Sequence, residues 1–143
     1  RWLWYKNNKT RNNLMKKKYL FVTANYYKDI SKGLIESAKK FFPKSSIIKI
    51  ITVPGVFEIP VTISKNIRKY DGFLALGCVI KGKTPHFDFI SKATTDAIMR
   101  LSIENNKPIG NGIITCLNKR QAILRKKKGR EAAQAVLSVL SQD

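Results

Sequence analysis

Four compact apolar runs divide the chain, and each is followed by a stretch in which apolar residues recur every three or four positions. Short runs rich in Ile, Val and Leu and bounded by Gly, Pro or Asn are typical of buried strands. Apolar residues at intervals of three and four are typical of the buried face of a helix. The predicted strands are Tyr19–Ala24, Ser46–Val53, Gly72–Ile80 and Ile109–Cys116.

Helices are predicted between these strands and after the last one. The first is predicted to begin at a cap formed by Asp29 and to end before Pro43. Pro60 suits the first turn of the second helix, and Asn118 is predicted to cap the last helical region. The third and most regular helix follows His86. The predicted apolar faces are Ile30, Leu34, Ala38 and Phe41, then Val61, Ile63 and Ile67, then Ile90, Ala93, Ala97, Ile98 and Leu101.

Strand and helix therefore alternate four times with short connections. Such alternation implies parallel strands joined by right-handed crossovers, with helices on both faces of the sheet. The predicted fold is α/β, a three-layer αβα sandwich around a four-stranded parallel sheet. At 143 residues the chain has the size of one domain, which we place at residues 19–143. Residues 1–18 show no regular period after the opening aromatic residues and are predicted to form a flexible basic arm.

The charge of the chain is strongly positive and unevenly distributed. There are 28 Lys and Arg residues against 9 Asp and Glu residues, which gives a formal charge of +19. Seven basic residues lie in positions 1–18 and seven more between Lys119 and Arg130, where four in succession and Gly129 are predicted to interrupt the last helical region. An RNA-binding module is one explanation. A general richness in lysine explains the charge equally well, so we do not expect a nucleic-acid partner.

The two cysteines, Cys78 and Cys116, lie inside apolar runs and belong to no Cys-x-x-Cys or Cys/His cluster. Isolated thiols of this kind are typical of small buried side chains in a reducing compartment. The longest apolar run falls short of the roughly 18 residues that a membrane span requires. Tyr19–Ala24 is too short for the apolar core of a signal peptide. We therefore expect a cytoplasmic protein that does not enter a membrane.

The segment from Gly77 to Thr84 matches the P-loop pattern G-x-x-x-x-G-K-[ST]. In a P-loop the four intervening residues curl so that their N–H groups surround a phosphate. Here Cys, Val and Ile occupy three of those four positions, and they favour a continuing strand. The pattern by itself favours a nucleotide-binding protein, which is the rival hypothesis. The broader expectation of an anion site survives, because glycine-rich backbone lies before a helix with Lys81 and Lys83 nearby.

His86 is the only histidine of the chain, two residues after Thr84 and two residues before Asp88. A single histidine is often structural or merely exposed. In a segment suited to an anion, however, an imidazole that gives and takes protons at neutral pH is a candidate acid–base group.

Two further segments admit a structural and a functional interpretation. Val53–Pro60 is either a tight turn with Glu58 favourably placed at a helix start, or a set of backbone groups and a carboxylate that binds the hydroxyls of a polyol. The basic run Arg125–Lys128, taken by itself, is best interpreted as a solvated helix face.

Taken together, these segments closely resemble the lumazine synthase family of riboflavin biosynthesis, over nearly the whole chain from Tyr19 onward. The matching segments are Val53–Pro60, Ala75–Asp88, Lys107–Gly112 and Asn118–Arg125. They occur in the order and spacing of the family, and the first two are highly specific in combination. The P-loop match falls inside the second segment. The resemblance implies a flavodoxin-like fold.

The resemblance also implies a reaction. It condenses 5-amino-6-(D-ribitylamino)uracil with 3,4-dihydroxy-2-butanone 4-phosphate to give 6,7-dimethyl-8-ribityllumazine, phosphate and water. No metal and no organic cofactor is implied, and the partners are these two small molecules. His86 would transfer protons, and Asp88 would orient it.

The other residue roles follow from the same resemblance. Tyr26 would stack on the pyrimidine ring, while Asn111 would belong to the pocket of a neighbouring subunit. The family implies a pentamer with sites between subunits, assembled in some members into a 60-subunit shell. The ribityl chain would contact Val56, Phe57 and Glu58, the pyrimidine would contact the backbone of Cys78, Val79 and Ile80, and the phosphate would contact Lys83, Thr84, Arg125 and Lys128.

Overall fold

The computed structural model of the protein describes residues 17–82 and 85–142. The strands are β1 (Lys18–Ala24), β2 (Ile47–Val53), β3 (Gly72–Ile80) and β4 (Ile109–Cys116). The helices are α1 (Lys28–Lys39), α2 (Ile59–Asn66), α3 (His86–Asn105), α4 (Lys119–Leu124) and α5 (Lys128–Leu140), and a 3₁₀ turn (Val56–Glu58) precedes α2. Each predicted strand is present within one residue of its predicted bounds. All but the last two residues of the predicted basic arm lie outside the described residues.

The four strands are parallel and lie in the order β2-β1-β3-β4. From β1 the chain crosses to one side for β2 and then to the other side for β3, so the strand order reverses between β1 and β3. β1 pairs with β2 over its whole length, but its pairing with β3 stops at Thr23 and Leu76. β3 continues to Ile80 beside β4. In open α/β sheets, ligands bind where the strand order reverses, at the carboxyl ends of the strands.

Apolar side chains are buried on both faces of the sheet, as a parallel sheet covered by helices requires. One core lies between the sheet and helices α1 and α5, and the other lies between the sheet and helices α2 and α3. Successive residues of β1 alternate between them: Tyr19 and Phe21 belong to the first core, and Leu20 and Val22 belong to the second. The predicted three-layer αβα sandwich is confirmed.

The helix termini follow from local chemistry. The Asn118 side chain caps α4 as predicted, because its Oδ1 accepts a hydrogen bond from the backbone N–H of Gln121 at 2.9 Å. Pro60 lies in the first turn of α2. Asn106 ends α3 in the left-handed conformation, with φ of 52°, which Asn adopts more readily than most residues. No helix within residues 17–82 and 85–142 is both long and apolar enough to cross a membrane.

Two details of the helix predictions are wrong. Tyr27, not Asp29, precedes the first turn of α1, and Asp29 lies exposed within that turn, where a carboxylate still favours the helix dipole. Val61 and Ala93 are exposed, whereas the polar Thr94 is buried. Spacing defined an apolar stripe on each helix but did not determine which edge of the stripe contacts the sheet.

The predicted interruption of the last helical region is present at the first three of the four basic residues, but it does not include Gly129. Residues 125–127 form the turn, and α5 begins at Lys128. Gly129 is buried where α5 crosses α1: a Cβ at this position would lie 2.1 Å from the carbonyl oxygen of Leu34 and 2.6 Å from Ser37 Oγ. Ser37 Oγ donates to the carbonyl oxygen of Lys126 at 2.9 Å, which joins the two helices at the same point. The close crossing therefore requires glycine.

We expect Gly129→Ala to lower the free energy of unfolding by about 1–3 kcal/mol, because the added methyl group must push the backbone of α1 away. Urea unfolding followed by circular dichroism measures this change. Gly82→Ala is the matched control, since a Cβ at Gly82 would meet no atom of the described residues within 4 Å. Equal stability of the two variants would contradict the close crossing of α1 and α5.

Candidate active site

A groove of about 690 Å³ opens at the carboxyl edge of the sheet. Its walls come from the loop after β1, the turn after β2, the end of β3 and the first turns of α3, so it lies where the strand order reverses. The predicted site residues that line it are Tyr26, Val56, Phe57, Glu58, Cys78, Val79, Ile80 and His86. Segments separated by up to 60 residues in sequence thus meet in one cavity.

The turn after β2 is closed by its own carboxylate. Glu58 Oε1 accepts a hydrogen bond from the backbone N–H of Gly55 at 2.9 Å, and the backbone N–H of Glu58 donates to the carbonyl oxygen of Gly55 at 3.2 Å. Within the described part of the chain, the other Glu58 oxygen makes no hydrogen bond. Both interpretations of this segment are therefore compatible with its geometry, because one carboxylate oxygen shapes the turn and the other is available to a ligand.

Gly77 allows this turn to lie directly against β3. A Cβ on Gly77 would lie 2.8 Å from Val56 Cγ1 and 3.1 Å from Ala24 Cβ, so any larger residue would displace the turn. Val56 is buried by this contact, while Phe57 next to it is exposed at the rim of the groove. Gly77, the first glycine of the apparent P-loop pattern, therefore allows β3 and the turn to pack closely.

The last residues of β3 present unpaired backbone to the groove. β1 pairs with β3 only as far as Leu76, and β3 continues through Cys78 and Val79 to Ile80. On the β4 side these residues remain in register with β4, from Cys78 opposite Ile114 to Ile80 opposite Cys116. On the β1 side, no strand among the described residues pairs with them. Backbone N–H and C=O groups in this position are available to hydrogen-bond a ligand.

The same geometry shows that the P-loop hypothesis is wrong. The residues that would have to curl around a phosphate, Cys78 to Ile80, are extended and paired with β4. The backbone N–H of Lys81 continues this pairing by donating to the carbonyl oxygen of Cys116 at 2.9 Å. Lys83 and Thr84, the predicted phosphate ligands in the loop, lie outside the described residues.

The Cys78 thiol that lines the groove is uncharged at neutral pH. The Sγ atoms of Cys78 and Cys116 are 4.0 Å apart, and both side chains are buried and free of disulfides. Burial, and then the neighbouring Cys116 thiol, raises the pKa of Cys78 to about 12. Burial also raises the pKa of Tyr27, with smaller contributions from Tyr26 and the two cysteines. This part of the groove therefore suits a neutral ligand group better than a charged one.

His86 is the first residue of α3, and its side chain reaches the groove. Asp88 lies exposed in the first turn of the same helix, where its negative charge interacts favourably with the helix dipole. It does not line the groove. Ile90, one helical turn after His86, supplies an apolar wall next to the imidazole.

Besides Asp88, three predicted site residues do not reach this groove within one chain. Asn111 is exposed on β4, and its Oδ1 accepts a hydrogen bond from the N–H of Ile113 at 3.0 Å. Arg125 and Lys128 line a second cavity of about 440 Å³, formed by β4, α4 and α5. Arg125 Nη1 donates to the carbonyl oxygen of Thr115 at 3.2 Å, which holds the guanidinium against β4. Lys128 Nζ lies 3.6 Å from Glu131 Oε1.

Sequence reasoning missed two side chains that line the groove, Tyr27 and Ile90. Ile90 was assigned to the apolar face of α3, and its position four residues after His86 was the signal that it would share the same helix surface. Tyr27 follows the predicted ring-stacking Tyr26 in the loop between β1 and α1. No local pattern indicates that both of these adjacent rings contact the groove.

A pH-dependent loss of stability follows from the buried thiol. Because the pKa of Cys78 is raised from its ordinary value of 9.0 to about 12, the unfolded chain releases this proton at a lower pH than the folded chain. The stabilising contribution is complete below about pH 9 and is lost as the pH rises toward 12. We expect the wild-type free energy of unfolding to fall more steeply than that of Cys78→Ala between pH 8.5 and about 10.5. Parallel urea-unfolding curves for the two proteins over this range would contradict the assignment.

Comparison with known proteins agrees with this geometry. The family model for 6,7-dimethyl-8-ribityllumazine synthase matches residues 16–142. A 6,7-dimethyl-8-ribityllumazine synthase of Agrobacterium fabrum is 40% identical over 134 residues, which cover 85% of this chain and 90% of the relative. The Bartonella henselae protein of the same name is 42% identical over 132 residues, 85% of each chain.

A third relative extends the match along the chain. The 6,7-dimethyl-8-ribityllumazine synthase of Nitrobacter hamburgensis is 36% identical over 145 aligned positions, which cover 92% of this chain and 89% of the relative. The family match includes every described residue of the groove and of the second cavity. The chain therefore belongs to the 6,7-dimethyl-8-ribityllumazine synthase family.

Proposed function

We propose that the groove binds both substrates of the family reaction and that His86 transfers protons between them. The enzyme is a transferase of riboflavin biosynthesis, which condenses 5-amino-6-(D-ribitylamino)uracil with 3,4-dihydroxy-2-butanone 4-phosphate and releases phosphate and water. One observation carries the assignment of this site. An aromatic ring, a turn with an available carboxylate oxygen, an unpaired strand end and the imidazole line a single groove.

The pyrimidine substrate fits the part of the groove that is neutral. Its ring stacks on Tyr26, and its polar edge hydrogen-bonds the unpaired backbone of Cys78, Val79 and Ile80. The uncharged Cys78 thiol and Tyr27 phenol nearby are compatible with a planar neutral ring. Val56 and Phe57 then contact the ribityl chain, and the available oxygen of Glu58 accepts a hydrogen bond from one of its hydroxyls.

Imine formation and phosphate elimination both need protons moved at neutral pH. His86 lies at the mouth of the groove, within the same cavity as the strand end that holds the pyrimidine. Asp88 is proposed to orient it when the substrates are bound. Much of the rate enhancement comes from holding the two reactants together, since effective molarities for oriented reactants reach about 10⁵ M or more. The proposal requires neither a metal nor an organic cofactor.

The phosphate site is proposed to lie between two subunits. Lys83 and Thr84 shortly precede His86 in the sequence, while Arg125, Lys128 and Asn111 lie on the β4 side of the chain, in or near the second cavity. A chain whose cations lie apart from its own groove can supply them to the groove of a neighbouring subunit. The contact is then heterologous, and a closed ring satisfies it for every subunit. We propose a pentamer, with the 60-subunit shell as a possible higher assembly of these rings.

The free thiols of Cys78 and Cys116 fit a reducing compartment, and we propose a cytoplasmic location on that ground. The proposed catalytic unit is the single α/β domain of residues 19–143. The basic segment at residues 1–18, apart from Lys18 in β1, is proposed to be an N-terminal arm.

The wild-type protein is expected to accelerate formation of the fluorescent lumazine above the spontaneous condensation of the two substrates. We expect His86→Ala to lower kcat by about 10²-fold with little change in either KM, because a proton-transfer group acts mainly in the transition state. Steady-state kinetics followed by lumazine fluorescence measures both parameters. Asp88→Asn is expected to lower kcat less, because it acts only through His86. An unchanged kcat in His86→Ala would remove the imidazole from the mechanism.

Mixed oligomers test whether sites are shared. We expect Arg125→Ala to raise KM for the butanone phosphate more than His86→Ala does, and Arg120→Ala, an exposed cation on α4, serves as its control. At a butanone phosphate concentration well below the wild-type KM, where each variant alone has low activity, co-refolding equal amounts of the His86→Ala and Arg125→Ala chains should restore about one quarter of wild-type activity. In a ring of random composition, about one quarter of the interfaces join an intact His86 to an intact Arg125. Activity no higher than that of the two separate variants would show that each site belongs to one chain.

A further inference from the structure

Tyr27 is a groove residue whose backbone is anchored on both sides. Its carbonyl oxygen accepts the N–H of Ser31 at 3.0 Å, in the first turn of α1. Earlier in the same loop, the N–H of Asn25 donates to the carbonyl oxygen of Val53 at 3.0 Å, and Ser31 Oγ donates to the carbonyl oxygen of Ala24. These bonds attach the loop to β2, to the end of β1 and to α1. The backbone position of Tyr27 is therefore determined by the fold.

The two adjacent tyrosines differ sharply in burial. Tyr27 is partly buried and packs against the core between the sheet and helices α1 and α5. Tyr26 is 76% exposed, so little packing restricts its ring. The rings lie nearly perpendicular, at 88°, with centroids 4.9 Å apart. Within the described residues, this is the one aromatic contact that Tyr26 makes.

An exposed ring that must stack on a substrate loses conformational freedom when the substrate binds. Edge-to-face pairs at this centroid distance are favourable beyond the burial of their surface. Tyr27, whose backbone is anchored and whose ring is packed on the core, can therefore restrict Tyr26 before the substrate arrives. The groove would then bind the pyrimidine with a smaller entropic cost.

We propose that Tyr27 is a positioning residue for the pyrimidine substrate, and that its ring, by contacting Tyr26 edge to face, holds the stacking ring in its binding orientation. This inference rests on the proposed function, because it takes Tyr26 to stack on the pyrimidine. It assigns a role to the ring of Tyr27 and none to its hydroxyl. It also predicts that the effect of Tyr27 passes through Tyr26.

A double-mutant cycle on Tyr26 and Tyr27 tests this role. The variants are Tyr26→Leu, Tyr27→Leu, the double variant and Tyr27→Phe. The measurements are KM for each substrate, kcat, and the dissociation constant of the lumazine product from its fluorescence. Phe41→Leu is the matched control for lost packing, because Phe41 also packs partly buried against the same core but does not line the groove.

We expect Tyr27→Leu to raise KM for the pyrimidine substrate and the product dissociation constant by about three- to tenfold, the range of an aromatic pair. KM for the butanone phosphate and kcat should change by less than about twofold. In the Tyr26→Leu background, Tyr27→Leu should cause little further change, because the ring on which it acts is gone. Tyr27→Phe should recover most of the lost affinity, and Phe41→Leu should lower only the melting temperature.

Several results would overturn the positioning role. One is a double variant in which the effects of Tyr27→Leu and Tyr26→Leu on pyrimidine affinity multiply fully. Others are an equal rise in KM for both substrates in Tyr27→Leu, or no recovery of affinity in Tyr27→Phe. The last is an active Tyr26→Leu enzyme with unchanged affinity for the pyrimidine substrate. Failure of the proposed function would look different. The wild type would then neither accelerate the condensation nor bind the lumazine.

Discussion

The groove depends on a difference in length between two neighbouring strands. β1 stops pairing with β3 at Leu76, and β3 continues to Ile80 with β4 on its other side. Backbone groups left without a partner are unfavourable when they are buried, at about 1–3 kcal/mol each. This end of β3 therefore remains open to water or to a ligand. The turn at Val56–Glu58 can approach it because Gly77 has no side chain.

This arrangement separates uncharged side chains from cations. The groove carries the Cys78 thiol and the Tyr27 phenol, whose pKa values are raised by burial, and the exposed ring of Phe57 stands at its rim. The cations Arg125 and Lys128 belong to a different cavity on the far side of β3, beyond β4. A substrate pair made of a neutral planar ring and a phosphate ester matches this division. The division also explains why a single chain does not assemble all the predicted site residues.

Much of the fold and of the groove could be predicted from local patterns. The apolar runs located all four strands because a buried parallel strand must be apolar on both faces. The resemblance of motifs to a known family indicated the site segments. Three of these segments lie at the ends of β1, β2 and β3, and the carboxyl ends of parallel strands share one edge of the sheet. Errors arose where the pattern was ambiguous. An aspartate is favourable both as a helix cap and within the first turn, so Asp29 did not determine where α1 begins. A glycine can end a helix or permit two helices to cross closely, so Gly129 had two possible roles.

By itself, the sequence determined the alternation of strands and helices and the parallel sheet, because these depend on side-chain periodicity. The resemblance of its motifs indicated the family and the segments that surround the groove. Only the tertiary structure excluded the rival phosphate loop after β3, since pairing with β4 holds Gly77 to Ile80 extended. It also decided that Tyr27 contacts the groove and that Arg125 lies apart from His86. Those features depend on how distant segments pack, which no local pattern encodes.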